Sequence, residues 1–463
     1  MRIIKNTEIG KHELSKDQMN WVYCALDCTL THEIWTKISE ELDEDTRGTY
    51  QFELNSLKPA MSMMLRGLKV DEEKVRNIKT PLKQNRLKLE RMLHLFARAV
   101  WGKDLNHNSP VQLKKLLYEE LNLPPVVSYK AGKQKISTDR AALEQLSETY
   151  PRAKPFCYTI LALRDIDKQL SVLASTRDKG RWSSSESPWR TGTNLQNVTK
   201  DLRAVFIPDT GQKMFYADLE QAESRAVAYL SGDENYIDVC ESTDLHTEVV
   251  KMIWPNMGWS GDPKQDRALA DRPYYLHHSY RDICKRAGHG TNYGVTAHSL
   301  ARQIKIKVSQ ATRFQLLYFG GVISLESLER WHKQDSKGGF KELIDQADKL
   351  PGNMVKINGA FPGIKNWHNH IRLELNDKGS LSTPLGRRRQ FWDRLSDNST
   401  LRQAIAYVPQ STIGDLLNLG LYRVWNELAS EGVEVLGQVH DAILGQCPVE
   451  KIDELMPKVL ERM

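Results

Sequence analysis

Cysteine is scarce in this 463-residue sequence, and its placement predicts neither disulfides nor a zinc site. The six cysteines are scattered, and the closest pair, Cys24 and Cys28, lacks the second Cys or His pair that a tetrahedral zinc site needs. We therefore expect reduced thiols, which are typical of an intracellular protein.

Long apolar runs are missing as well. No segment approaches the ~20 apolar residues that a membrane-spanning helix needs. The first ten residues, MRIIKNTEIG, lack the apolar core of a signal peptide. The sequence thus predicts no membrane partner and no export, and we expect a cytoplasmic protein. It also contains no internal repeat and no low-complexity block.

Neither sign of charge is in large excess. The 65 basic and 59 acidic residues give a net charge of +6, and 40% of the residues are hydrophobic. These values are typical of a soluble globular chain, and they are compatible with a polyanionic partner without requiring one. The length predicts roughly three domains with sizeable cores.

Apolar periodicity predicts helices over residues 11–42 and over most of 54–101, with an interruption at 67–71 and an end near Gly102. In the second half of the longer region, basic residues stand opposite an apolar stripe. Such a face is usually solvated, although it would also suit contact with phosphates. A loop-rich segment at 175–194 is the clearest internal boundary.

The stretch LGQVHDAILGQ (436–446) places a histidine and an aspartate between two short apolar runs. The runs read as two strands, so His440 and Asp441 fall at a hairpin turn. Simple turn chemistry is one interpretation, because Asp bonds to its own backbone in turns. The lack of glycine or asparagine in the turn weakens that interpretation, since tight hairpins favour residues that accept a positive φ.

A second carboxylate supports a functional interpretation. In QKMFYADLEQAESRAVAYLSGD (212–233), a strand is predicted to pass directly into a helix, with Asp218 at the strand end and Glu220 and Glu223 in the first helical turn. Helix capping alone would explain these acids. If the strands of Asp218 and Asp441 are neighbours in one sheet, however, the two carboxylates would repel each other unless a cation such as Mg²⁺ lay between them.

A third segment, YRDICKRAGHGTNYGVTAHSLARQ (280–303), carries Arg281, Lys285, His289 and Tyr293 at intervals of four residues. On a helix they form one stripe spanning ~18 Å, long enough for a triphosphate, a sugar and a base. An ordinary basic surface stripe is the alternative. Three glycines in the segment weaken a helix by roughly 1 kcal/mol each, which indicates close approach or movement.

Together these segments resemble the family A DNA polymerases of bacteria and phages. DLEQAESRAVAYLSGD resembles the family's motif A, RDICKRAGHGTNYG motif B and QVHDAI motif C. Further similar segments are GRWSSS, NLQNVTKDLRAVF, NSPVQLKKLLYEELNLPP with ISTDRAALEQL, TPLGRRRQF and RQAIAYVPQSTIGDL. Their order along the chain makes the resemblance strong.

The resemblance implies an α+β, right-hand fold with a palm built on an antiparallel sheet and with helical fingers and thumb. The expected domains are an exonuclease-like remnant (1–50), the thumb (51–178), the palm (179–230 and 398–463) and the fingers (231–397). It implies a template-directed DNA polymerase that adds deoxynucleotides from deoxynucleoside triphosphates to a primer 3′ end by phosphoryl transfer with two Mg²⁺ ions.

The resemblance also assigns roles to individual residues. Asp218, Asp441 and the Leu219 carbonyl would hold the metals, and Lys285 would act in catalysis. The residues implied at the nucleotide are Arg281, Lys285, His289, Tyr293, Glu223, Gln221 and His246. Those implied at primer-template DNA are Arg181, Asn194, Gln196, Arg402, Gln410, His440 and Gly294. Glu223 would crowd the 2′ position of the sugar, which is where the two kinds of nucleotide differ.

Several positions depart from the family pattern. Ala442 replaces the usual Glu of motif C, His289 stands where Phe or Tyr is usual, and Glu220 replaces a Ser. The segment 254–280 looks like an insertion of unknown purpose in the fingers.

YCALD (23–27) resembles the third motif of the family's proofreading exonuclease, with Tyr23 and Asp27 as the matching residues. We expect no proofreading from this chain and allow that it is a fragment. A separate exonuclease or processivity factor is left open.

The alternatives are a single-subunit RNA polymerase, against which Glu223 argues, a reverse transcriptase, and a non-catalytic DNA-binding subunit, against which the retained Asp218 and Asp441 argue. A phage or similar replicon is the expected setting, in replication or repair.

Overall fold

The computed structural model describes residues 15–130, 133–174, 181–182, 198–275 and 278–463. The helices are α1 (Lys16–Glu41), α2 (Glu44–Arg66), α3 (Glu72–Trp101), α4 (Pro110–Lys114), α5 (Arg140–Thr149), α6 (Lys154–Ala174), α7 (Lys200–Arg203), α8 (Ala222–Ser231), α9 (Glu234–Glu241), α10 (Leu245–Ile253), α11 (Pro263–Ala270), α12 (Tyr280–Asn292), α13 (Ala297–Ile304), α14 (Val308–Phe319), α15 (Leu325–Gln334), α16 (Phe340–Asp345), α17 (Pro362–Lys378), α18 (Asn398–Glu427) and α19 (Ile452–Arg462). A π-helical turn, Lys115–Glu120, follows α4.

The strands are short, and all of their pairings are antiparallel. They are β1 (Leu68–Lys69), β2 (Val127–Lys130), β3 (Lys133–Ile136), β4 (Arg181–Trp182), β5 (Gln212–Asp218), β6 (Pro273–Tyr275), β7 (His278–Ser279), β8 (Gly321–Ser324), β9 (Asp348–Leu350), β10 (Met354–Ile357), β11 (Ser380–Ser382), β12 (Arg388–Gln390), β13 (Glu434–Val439) and β14 (Ala442–Pro448).

The chain divides into two compact units. The first unit contains residues up to Asn55 and Gln221–Asp415, and the second contains Ser56–Glu220 and Leu416–Met463. The predicted finer division into remnant, thumb, palm and fingers stays a prediction. Among the described residues, none of the helices combines the length and apolar character needed to cross a bilayer.

The second unit is built around the three-stranded sheet β13-β14-β5. Side chains alternate across strand β5, as the period of two in a strand requires. Phe215 and Ala217 pack with Leu421 and Val424 of α18 in one core cluster, whereas Met214 packs in another cluster that includes Val172. Both faces of the sheet are therefore covered, which holds its strand ends in place.

Helices α3 to α6 of the second unit share a separate core, centred on α3, α5 and α6. Salt bridges tie α3 to α6, where Arg86 Nε lies 2.6 Å from Asp167 Oδ1. Helix α3 ends as predicted at Gly102, which has a φ of 70° and caps the helix in the left-handed conformation. The predicted interruption before α3 is the short strand β1.

The first unit is mainly helical, and one large apolar core runs through helices α8 to α18. A buried polar network crosses this core: the Asn292 side chain donates to the Tyr236 hydroxyl at 2.8 Å and accepts from the Tyr318 hydroxyl at 2.9 Å. The Asn292 carbonyl lies 2.8 Å from His368 Nε2. Because each buried group finds a partner, the network fixes the C-terminal end of α12.

Candidate active site

The predicted hairpin is present, and its turn contains only His440 and Asp441. Val439 pairs with Ala442, so the two strands are joined by a two-residue loop. His440 has a φ of +56°, and Asp441 is not among the residues with positive φ. A positive φ at the first loop position matches a type II′ turn, where glycine is usual. Holding a histidine there costs about 1–3 kcal/mol, a strain that is common at functional sites.

The same sheet brings Asp218 next to Asp441. Asp218 is the last residue of β5 and pairs with Ala442, the residue that follows Asp441. The backbone N–H of Leu219 donates to the Asp441 carbonyl at 3.1 Å. Partial burial, the Asp441 charge and a hydrogen bond shared with Asp441 raise the pKa of Asp218, while His440 lowers it. The two carboxyl groups are therefore close enough to interact.

This pair of carboxylates fits a divalent cation. Within the described part of the chain, no group of three or more His, Cys, Asp or Glu side chains is arranged to hold a metal ion. A cation at Asp218 and Asp441 would thus keep coordination positions for oxygens of a substrate, as Mg²⁺ does with phosphates. Ala442, at the position of the family's usual Glu, is fully buried in the sheet.

One local prediction was wrong. Glu220 does not lie in the first turn of a helix, because α8 begins at Ala222. Gln221 precedes the helix in the left-handed conformation, with a φ of 54°, and its side-chain Oε1 is buried without a hydrogen-bond partner. A buried oxygen without a partner is costly, and Thr291 and Tyr293 of the first unit carry further buried oxygens for which no partner lies among the described residues.

The basic residues of α12 lie in the first unit. Arg281 Nη2 donates to Asp244 Oδ1 at 3.0 Å, and the Asp244 side chain also caps α10. Lys285 is exposed, and it has no ion pair with any described residue. Burial and the charges of Arg281 and Lys285 lower the pKa of His246 to about 4. His246 is therefore neutral at physiological pH, beside the side chains of Arg281 and Lys285.

A cavity of about 220 Å³ runs along this face of α12, and His246, Lys285, Gly288 and His289 are among its lining residues. The first three of the predicted stripe residues thus belong to one helix, and Tyr293 follows directly as its C-terminal cap. The cavity is lined by the cation of Lys285 and by the neutral imidazole of His246, and Arg281 lies one turn before Lys285 on α12. Such a combination of donors suits a polyphosphate.

Glu223, His289 and Tyr293 form a cluster in the same unit. His289 Nδ1 lies 3.4 Å from Glu223 Oε2, and the His289 and Tyr293 rings meet edge to face with centroids 5.0 Å apart. Burial and the Glu223 charge raise the pKa of Tyr293. The Tyr293 hydroxyl lies near Glu223 and Gln410 but forms no well-aligned hydrogen bond with any residue that the structure describes.

Gly294 and Arg402 meet at the end of α12. Gly294 has a φ of +68°, and a Cβ there would lie 3.3 Å from Ile405 Cδ1 and 3.8 Å from Arg402 Cγ. Arg402 and Gln410 both lie on α18. Asn194 and Gln196 lie outside the described residues, and for Arg181 the structure describes only the backbone of β4, which pairs with Lys69.

A sequence model of DNA polymerase family A matches residues 72–338 and 353–463 of the chain. The chain belongs to DNA polymerase family A. Among its relatives, the thermostable DNA polymerase I of Thermus filiformis is 25% identical over 94% of this chain and 48% of the relative. The enzyme of Thermus aquaticus is 26% identical over 84% and 42%, and DNA polymerase I of Lactococcus lactis is 26% identical over 87% and 42%. This family A chain spans less than half the length of these curated relatives.

A solved structure supports the fold of this family A chain. The POL domain of Pol1 from M. smegmatis, in complex with DNA primer-template and dNTP, matches with a TM-score of 0.63 at 23% identity. The match covers 89% of this chain and 66% of that chain. The predicted α+β polymerase fold is thereby confirmed.

Sequence reasoning missed Asp244, the partner of Arg281. Its only signal is the pattern Asp-Leu-His-Thr, in which an Asp precedes a helix and the Asp244 side chain accepts from the Thr247 N–H. Such a pattern predicts an N-cap but not the ion pair with α12.

Asp218→Asn should raise the free energy of unfolding at pH 7, because it removes one of two repelling charges. The folded-state pKa of Asp218 is raised, so the destabilisation is present when the carboxyl is ionised and disappears below the ordinary value of 3.8. Urea unfolding at pH 7 and at acidic pH measures both effects. Asp238→Asn, an exposed acid on α9, is the control and should change little. Equal stability of Asp218→Asn and the parent at pH 7 would contradict the repulsion.

Proposed function

We propose that this family A chain is a template-directed DNA polymerase that adds deoxynucleotides to a primer 3′ end. The observation that carries the proposal is the pairing of Asp218 and Asp441 at adjoining strand ends of a sheet covered on both faces. In the proposed reaction the primer 3′-oxygen attacks the α-phosphorus of the incoming triphosphate, and pyrophosphate leaves. The family match does not favour an RNA polymerase, a reverse transcriptase or a non-catalytic subunit.

Asp218, Asp441 and the Leu219 carbonyl would hold divalent ions, with Mg²⁺ as the natural choice for carboxylate and phosphate oxygens. When bound, such ions lower the pKa of the primer hydroxyl and offset charge on the transferring phosphate. The chain contributes a fixed position for both carboxylates. His440, the exposed residue of the same turn, would contact the primer.

Arg281 and Lys285 would bind the triphosphate in the proposed function. Arg281 is already held by Asp244, so its guanidinium is oriented before a nucleotide arrives. Lys285 pairs with no carboxylate in the described ranges of the chain, and it would donate a proton to the departing pyrophosphate. His246, kept neutral by burial and by these cations, would donate a hydrogen bond without adding charge.

Glu223 and His289 would face the sugar, and Tyr293 the base. Their mutual contacts support this assignment, since Glu223 is held beside His289 at 3.4 Å. Gln221 would contribute to the same nucleotide. Arg402, Gln410 and Gly294, together with Arg181, Asn194 and Gln196, would contact primer-template DNA. Tyr23 and Asp27 lie on α1, and we assign them no proofreading role.

The setting that fits these assignments is DNA replication or repair in the cytoplasm of a bacterial cell, whether for the host or for a phage. Bacterial DNA polymerase I chains are among the relatives of this protein, which supports a bacterial setting.

Asp441→Asn should reduce primer extension by at least about a hundredfold, because loss of a metal ligand removes several kcal/mol of stabilisation from the transition state. Single-turnover extension of a primer-template with Mg²⁺ measures this, and the affinity for the same DNA in a binding assay should be retained. Glu450→Gln, an exposed acid just after β14, is the control and should extend normally. Extension by Asp441→Asn at the parent rate would refute the proposal.

Glu223→Ala should raise the incorporation of ribonucleotides at least about tenfold relative to deoxynucleotides, because it opens the space proposed to exclude a 2′-hydroxyl. The ratio of kcat/KM for the two nucleotide classes is the measurement. Glu234→Ala, an exposed acid in the first turn of α9, should leave the ratio unchanged. If Glu223→Ala discriminates as the parent does, Glu223 does not exclude the 2′-hydroxyl.

A further inference from the structure

The segment from Lys378 to Arg394 contains an unusually exposed tryptophan. Trp392 is 89% exposed, although most large aromatic side chains are largely buried. The segment contains five basic residues and one acidic residue, Asp393. An exposed aromatic ring among basic side chains is the combination found on surfaces that bind single-stranded nucleic acids.

Two of the five basic residues of this segment, Lys378 and Arg387, are paired with carboxylates, and the other three are not paired with any that the structure describes. Arg387 donates to both Asp415 and Glu53, and its own carbonyl accepts from the Tyr407 hydroxyl at 2.7 Å. Arg388, Arg389 and Arg394 are exposed, and none of them has a carboxylate oxygen within 4.0 Å among the described residues. We call Trp392 with Arg388, Arg389 and Arg394 the tryptophan platform.

The backbone beneath the platform is held firmly. Phe391, next to Trp392, is only 6% exposed, and its N–H donates to the Gly379 carbonyl at 2.9 Å. The Arg389 guanidinium lies over the Phe391 ring at 4.8 Å and over the Tyr407 ring at 5.6 Å. Because the backbone is already fixed, less conformational entropy is lost when a ligand binds to Trp392.

Single-stranded DNA matches this surface in both respects. Its unpaired bases offer flat faces that stack on an aromatic ring, and its phosphates pair with arginines, whereas bases inside a duplex are already stacked. We propose that the tryptophan platform binds single-stranded DNA, with one base stacked on Trp392 and phosphates bound by the three arginines. The inference rests on the proposed function, since a polymerase template is single-stranded ahead of the primer end.

The test compares the affinity of the whole chain for three DNAs: a primer-template with a single-stranded 5′ template extension, the matching blunt duplex, and an oligodeoxythymidine of the extension's length. Trp392→Ala should weaken binding of the extended template and of the oligonucleotide by about fivefold to a hundredfold, the range expected for one stacked base. It should leave the blunt duplex nearly unaffected. Trp392→Phe should retain most of the affinity, because a smaller aromatic ring can still stack.

The matched control is Trp21→Ala, which removes another exposed tryptophan, on α1, and should not change any of the three affinities. Arg394→Gln should reduce the salt dependence of single-strand binding by about one unit of slope. Thermal unfolding establishes that each variant is folded. Equal affinity of Trp392→Ala and the parent for both single-stranded probes would overturn the inference, as would an equal loss for the blunt duplex. If the inference were overturned but the chain still extended primers normally on short templates, the proposed function would still hold.

Discussion

Strands β5, β13 and β14 hold two carboxylates close enough to repel each other. The sheet keeps the two carboxylates together despite this repulsion. Asp218 and Ala442 are paired residues, and the Leu219 N–H donates to the Asp441 carbonyl at 3.1 Å. Apolar cores on both faces of the sheet prevent the strand ends from moving apart. A strained histidine in the turn adds a further local cost. Such unfavourable arrangements persist only where the surrounding structure holds them in place, and they are usual where a protein binds a cation.

The first unit prepares positive charge in a comparable way. Asp244 orients Arg281 and caps α10, while Lys285 remains without a carboxylate partner in the part of the chain that the structure describes. The neutral state of His246 follows from its burial and from these two cations. Pre-orientation of charge costs stability in the free protein and reduces the reorganisation needed when an anion binds. The Asn292 network fixes the end of the same helix, so the cluster of His289 and Tyr293 rests on a rigid base.

Periodicity in the sequence was sufficient to predict α3 and its glycine cap, the β13-β14 hairpin and the helix that carries Arg281 and Lys285. These elements are local, and their signals lie within one run of residues. The register of β5 against β14 depends on contacts between residues more than 200 positions apart, and no local pattern encodes it. The Arg281–Asp244 pair was missed because it joins two helices 37 positions apart, and no pattern within either helix encodes it. Glu220 was wrongly predicted to be helical because Gln221 adopts a positive φ, so the helix begins only at Ala222. Residues other than glycine rarely adopt a positive φ. The exposure of Trp392 was not predicted, because exposure cannot be inferred from residue type alone.

The central claim is that Asp218 and Asp441 share divalent cations. Titration of Mn²⁺, as a spectroscopic substitute for Mg²⁺, into the chain with primer-template and a non-hydrolysable deoxynucleoside triphosphate tests it most directly, because electron paramagnetic resonance counts the bound ions without any need for turnover. The account predicts that bound Mn²⁺ is lost when Asp218 and Asp441 are both replaced by Asn, while the DNA remains bound. Retention of the same number of tightly bound ions in that double variant would contradict it.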